Sequence, residues 1–148
     1  MSSFLGSMKI TGSALTAERY RMDIILQNIA NANTTRTDSG DPYRRKQVVF
    51  QEKSTDFGVL LGDQQRKRTG ATEGGVRITE IVESQADFIP VYDPSHPDAD
   101  DEGYVMYPNV NTTEERIDLM AASSAYEANL TALGIVKNLA LKALEIGK

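Results

Sequence analysis

The chain has 148 residues, 40% of them hydrophobic and 25% charged, with a net charge of −5, no cysteine and a single histidine, His96. That length holds one modest domain, or one small domain plus extended helical ends, and the negative balance gives no reason to expect a nucleic-acid partner. Disulfides, thiol catalysis and thiolate metal sites are excluded, a zinc site built on one histidine and carboxylates is not expected, and no window reaches the roughly 18 apolar residues of a membrane span.

The opening stretch MSSFLGSMKITGSALTAERY lacks a basic n-region followed by a continuous apolar run, so a cleaved secretory signal is not expected. From about Ser7 to Ala32 the pattern predicts a helix. Met8, Leu15, Met22 and Ile29 recur at heptad spacing, and Ile25 and Ala32 fill the companion positions three residues on. Thr11 and Glu18 fall in that companion register too, so the seam is imperfect. The helix then meets LQNIANANTT, with Asn28, Asn31 and Asn33 close together. Asparagine is a poor helix former, because its amide competes for nearby backbone groups. Asn28 and Asn31 are placed on the border of the apolar stripe that carries Leu26 and Ile29. There they could bond to another helix or to the returning chain, giving up some stability to specify register. Asn33, just before Thr34 and Thr35, is expected to take a left-handed conformation that ends the helix. The alternative is a frayed helix end.

The middle, residues 36–110, leans towards β structure. Asp38-Ser39-Gly40-Asp41-Pro42 is a turn cluster, and Gln47 to Phe50 reads as a short strand. Residues 54–75 are polar and glycine-punctuated apart from Phe57 to Leu61, and predict a variable loop. Val76-Arg77-Ile78 alternates like a half-buried strand and continues into Ile81-Val82. Phe88 to Tyr92 is expected to pair with Tyr104 to Tyr107 around an acidic loop.

The last segment, 111–148, predicts a second long helix. Thr112 and Glu115 read as a T-x-x-E capping box, and Gly147 as a stop. Leu119, Tyr126, Leu133 and Ala140 repeat the heptad spacing, supported by Ala122, Val136 and Ala143, with Asn129 as a further register or capping residue. The expected fold class is α+β. Long terminal helices, in residues 1–35 and 111–148, form an antiparallel coiled-coil-like core, and a small β-rich, loop-rich domain lies between them. Gly12, Ala14, Ala121, Ala122 and Ala125 permit close helix approach. Leu15, Met22, Ile25, Ile29, Leu119, Tyr126 and Leu133 are the candidate packing seam. One helix pair cannot cover both wide stripes, which favours assembly over a lone monomer. A helical hairpin packed on its own small domain is the alternative.

Chemistry-bearing motifs are sparse. Asp98, Asp100, Glu102 and Gly103 imitate positions one, three, five and six of an EF-hand, but Asn109 stands where a bidentate glutamate is needed. Pro94, Pro97 and Pro108 break the flanking helices. The 93–104 loop is therefore read as a solvated turn, with a soluble cation-binding module as the alternative. Gly70 and Gly75 have P-loop spacing, but Val76 and Arg77 follow in place of Lys and Ser/Thr. The basic clusters Arg44-Arg45-Lys46 and Arg66-Lys67-Arg68 are short and read as solvated surface. No nucleophile elbow is present, and nothing predicts an apolar pocket that would raise a carboxyl pKa for acid catalysis. Neither an enzyme nor a cofactor is expected.

Several motifs occur together in order: Gly12-Ser-Ala-Leu15, Asn28-Ile-Ala-Asn-Ala32, Pro42-Tyr-Arg44, Lys46-Gln-Val-Val-Phe50 and Gly74-Gly-Val-Arg77. Val82-Glu-Ser-Gln85, Asp93-Pro-Ser-His-Pro97, Gly103-Tyr-Val105, Tyr107-Pro-Asn-Val110 and Tyr126-Glu-Ala-Asn129 follow. In these the chain resembles the bacterial flagellar axial proteins of rod and hook over nearly its whole length. The middle motifs resemble a proximal-rod component most narrowly, with another axial subunit as the alternative. Glu127 departs from the glutamine common in that family, and residues 54–69 match no pattern of it.

The resemblance implies a structural subunit exported unfolded by the flagellar type III apparatus without a cleaved signal. It implies polymerisation with copies of itself and other rod proteins into a shaft that carries torque through the periplasmic space, the terminal helices inside and the β-rich part outside. It implies no nucleic acid, no small-molecule substrate and no membrane insertion.

Overall fold

The computed structural model describes residues 2–53 and 74–146. Helix α1 spans Ser2–Ala30 and helix α2 spans Thr112–Ile146. Between them lie strands β1 (Lys46–Glu52), β2 (Val76–Glu83), β3 (Ile89–Tyr92) and β4 (Tyr104–Tyr107). Most of the 54–75 loop, with Phe57 to Leu61, the Arg66–Arg68 cluster and Gly70, lies outside the described residues, as does Gly147 with its predicted stop. No helix among the described residues is long and apolar enough to cross a membrane.

The α+β class holds, with two long helices and a small β-rich middle. At about 1.5 Å per residue, helices of 29 and 35 residues extend roughly 44 and 52 Å. Neither has the proline that would break such a run. Strands β1 and β2 form one two-stranded sheet and β3 and β4 another. β1 and β2 run antiparallel: Ser84 N donates to Arg45 O at one end and Lys53 N to Gly75 O at the other. β3 and β4 pair in the order Ile89–Tyr107, Pro90–Met106, Val91–Val105 and Tyr92–Tyr104, the hairpin expected around the acidic loop.

The contacts divide into two units. One comprises residues 1–19, 50–79 and 123–148, the other residues 20–49 and 80–122. Within the first, the returning chain lies close against α1. Ser13 Oγ accepts from Val76 N at 3.0 Å and donates to Ile10 O at 2.7 Å. Gly75 makes this approach possible. Its φ is +142°, and a Cβ there would sit 2.8 Å from Ser13 Oγ. Within the second, Ala32, Tyr43 and Val110 form a small apolar cluster, with Val105 and Ala122 also buried. The last turns of α1 and the first turns of α2 run antiparallel there, since Asn28 meets Glu115 and Arg21 meets Asp118.

Candidate functional site

The second unit is organised around a buried polar junction. Periodicity puts Asn28 on the border of the apolar stripe of α1; the structure puts it in the centre. Asn28 is 1% exposed and lies one helical turn from buried Ile24 and Ile25, whereas Leu26 is 49% exposed. A stripe following Ala17, Ile24, Ile25, Asn28 and Ala32 fits the helix better than one drawn through Leu26, because the 3.6-residue period carries position 26 away from the core.

At that depth an amide must be paired, and Asn28 is paired completely. Its Nδ2 donates to Lys46 O and to Glu115 Oε2, each at 2.9 Å. Its Oδ1 accepts from Tyr43 OH and from Lys46 N, also at 2.9 Å. Both donors and both lone pairs are used. Glu115 is fully buried; its other carboxylate oxygen accepts from Arg45 Nε. The Arg45 guanidinium reaches on to Asp118 at 3.2 Å. The backbone N of Arg45 donates to Asn109 Oδ1, and Asn109 Nδ2 donates to Ala86 O at 2.9 Å. Arg44 donates to the carbonyls of Ser84 and Ala86 and lies 4.2 Å above the Phe88 ring. Helix α1, the start of β1, the segment after β2 and the start of α2 are thus fixed to one another by charged and amide groups.

Burial, reinforced by the negative charge of Glu115 and then of Glu83, pushes the Tyr43 hydroxyl up to about 12. Tyr43 therefore stays a neutral donor to Asn28 through the physiological range.

The remaining polar residues behave differently from the sequence expectation. Among the described residues Asn31 makes no bond across to another element: its Nδ2 donates to Gln27 O within α1, and its Oδ1 accepts from Thr34 Oγ1. It seals the helix end locally. Asn33 is exposed, and no non-glycine residue among those described has a positive φ, so it is no left-handed cap. The end turns instead through Ala32 N to Ile29 O and Thr34 N to Asn31 O, which needs no left-handed residue. At the start of α2 the cap is Asn111, whose Oδ1 accepts from Thr113 N at 3.0 Å and whose carbonyl accepts from Glu115 N. Thr112 is already the first helical residue, and Glu115 is drawn into the junction instead of turning back to the cap. Asn129 bonds Ala125 O within its own helix. Of the seam candidates, Ile25 is buried and Leu15, Met22, Ile29, Leu119, Tyr126 and Leu133 are half-buried.

Tyr43, Arg45, Asn109 and Asp118 belong to the junction and carried no such assignment in the sequence. The available signal was Glu115, an acid four residues before Leu119 and on the inward heptad face.

The acidic loop is a set of turns. Asp93 Oδ1 accepts from the hydroxyl and the amide of Ser95, which hold its carboxyl below the usual range. Asp100 Oδ1 accepts from Glu102 N and Tyr104 N, and Asp98 accepts from Thr35 and faces Arg36 at 3.7 Å. Among the described residues no group of three or more histidine or acidic side chains is placed to hold a metal ion.

Two family models match the chain. One described as "Flagella basal body rod protein" covers residues 8–36, and one described as "Flagellar basal body rod FlgEFG protein C-terminal" covers residues 101–146. They include Asn28 and Glu115 respectively. Along its full length the chain is similar to the flagellar basal-body rod protein FlgC of Bacillus subtilis (strain 168), 45% identical over 146 residues that make 96% of this chain and 97% of that one. The chain belongs to the FlgC family of flagellar basal-body rod proteins.

The FlgC proteins of Escherichia coli O6:H1 and Borreliella burgdorferi are 40% and 39% identical, over 99% and 95% of each chain. In this FlgC-family chain each matched segment carries most of one long helix, the second also holding β4, and the junction ties the end of α1 to the start of α2.

Proposed function

We propose that the chain is a structural subunit of the flagellar rod that works by packing, with no catalytic step of its own. The observation that carries this is the two-sidedness of α2. On one face Ala122 is buried and Leu119, Tyr126 and Leu133 are half-buried. On the opposite face Ile117, Met120, Ile135 and Leu139 stand 52–71% exposed. A helix apolar on two faces has a second partner to find, and an uncovered stripe of this kind marks an interaction surface.

In this reading residues 1–35 and 111–148 build the inner packing domain, and residues 36–110 sit outside it. Leu15, Met22, Ile25, Ile29, Leu119, Tyr126 and Leu133 hold one subunit's helices together, the Asn28–Glu115 junction sets their register, and the outer face of α2 meets copies of the chain and other rod proteins. Torque towards the hook passes through many such contacts, with no cofactor, nucleic acid, small-molecule substrate or membrane insertion involved. The flagellar type III apparatus exports the chain unfolded into a rod spanning the periplasmic space.

Cryo-electron microscopy of isolated basal bodies tests the assignment. Density for this chain in the proximal rod is the expected result. Absence of the chain from purified basal bodies overturns the reading.

A further inference from the structure

We infer that the outward face of the β3–β4 hairpin is a docking surface for the lysine-bearing half of α2 from a second copy of the chain; this rests on the rod reading above. The hairpin register puts Pro90, Met106, Tyr92 and Tyr104 on one face. Tyr92, Tyr104 and Met106 are 65%, 41% and 45% exposed; on the other face Val105 is 1% exposed, while Ile89 and Val91 at its rim are 49% and 41% exposed. The two tyrosine rings already hold an edge-to-face arrangement with centroids 5.3 Å apart. Tyrosine and methionine are favoured at interface centres, and a pre-arranged aromatic pair loses little freedom on being covered.

Charge selects the partner. From Ile78 through Glu115 the sequence has ten Asp and Glu residues and no Lys or Arg. Near the hairpin, Asp98 is satisfied by Thr35 and Arg36, and Asp100 by backbone amides. The Asp101 and Glu102 side chains are exposed, and their carboxylates have no partner among the described residues. The patch is therefore apolar with a negative rim, and its complement is apolar with positive charge.

This chain carries such a complement. Between Ala128 and Leu144 there is no Asp or Glu, and Lys137 and Lys142 are both present. Ile135, Leu139 and Lys142 follow at i, i+4 and i+7 on one helix face, with Ile135 and Leu139 56% and 52% exposed. Seating the two aliphatic side chains on the tyrosines brings the lysine, one turn further on, to the Asp101–Glu102 rim. The two surfaces differ, so the contact is head-to-tail. Contacts of that kind propagate into rings or helical arrays instead of closing a dimer, which suits a polymer.

The photo-crosslinking residue p-benzoylphenylalanine, placed at Tyr92 of the full chain in motile cells, reads the contact. A second probe at Met106 gives the same readout if the first perturbs assembly. The expected product is an adduct of twice the chain's mass whose linked peptide falls within residues 128–144. Its yield should drop severalfold with Lys142→Glu and recover when Asp101→Lys and Glu102→Lys are added. Adducts to a different protein, adducts elsewhere on the chain, or none from either probe while the chain is still found in basal bodies, overturn this docking and leave the rod reading standing. Absence of the chain from basal bodies overturns both.

Discussion

Replacing Asn28 by alanine would remove the partner of four groups at once: the buried Tyr43 hydroxyl and one buried oxygen of Glu115, and the part-buried Lys46 N–H and carbonyl. A buried polar group left without its partner costs about 1–3 kcal/mol, and more when charged. Asn28→Ala is therefore expected to lower the unfolding free energy by about 3–5 kcal/mol, read from a urea midpoint with unchanged slope. Asn28→Asp keeps the acceptors but sets a carboxylate against Glu115, so it should destabilise as well. Adding Glu115→Gln should then recover part of the loss, a coupling that a double-mutant cycle measures. Independent losses in that cycle would remove the junction as a unit.

Tyr43 gives a second reading at this scale. Its hydroxyl is raised from the usual 10.0 to about 12 in the folded chain. The unfolded chain releases that proton first, so the stability tied to neutral Tyr43 is complete below about pH 10 and is lost as pH climbs through about 12. Phenolate absorbance should show one late-titrating tyrosine that disappears in Tyr43→Phe. The fall in stability above pH 10 should be shallower in that variant.

At the scale of elements, the cap of α2 separates two neighbouring residues. Asn111 accepts from Thr113 N, whereas Thr112 is already inside the helix. Asn111→Ala is expected to cost about 1 kcal/mol, as lost caps do, and Thr112→Ala only a few tenths. Reversed magnitudes in thermal melts would restore the T-x-x-E assignment. The displacement by one residue shows where local pattern stops being informative. A capping box can be written from four consecutive residues only if the last is free to turn back. Glu115 is not free, because Arg45 and Asn28, 70 and 87 residues away in sequence, claim its oxygens. The helices, strands and hairpin were legible because each rests on a period or a turn cluster within one segment. Asn28 was legible as an anomaly in its helix, but its partners were not, since they arrive from two other segments, residues 43–46 and the start of α2. Asn33 failed for the opposite reason: the chain turns through local backbone bonds that need no special conformation.

For the whole molecule, the two faces of α2 should respond differently to the same substitution. Leu133 is half-buried on the inward face, and Ile135, two residues on, is 56% exposed. Glutamate at position 133 places a charge against the chain's own apolar residues. Leu133→Glu should cost the free subunit about 1–3 kcal/mol, and Ile29→Glu, half-buried beside the junction, should behave likewise. Both are expected to abolish motility while leaving the β3–β4 hairpin paired. Ile135→Glu sits in water in the free subunit, so its stability should stay within about 0.5 kcal/mol of the parent. In the rod, however, that glutamate would be desolvated against a neighbour, and incorporation and motility should be lost. The informative pair of measurements is the melting curve of the purified chain and the amount of chain retained in basal bodies. A motile Ile135→Glu strain would show that the exposed face of α2 is left in solvent by the assembled rod, and a non-motile one with parental melting would place the loss at the contact between subunits.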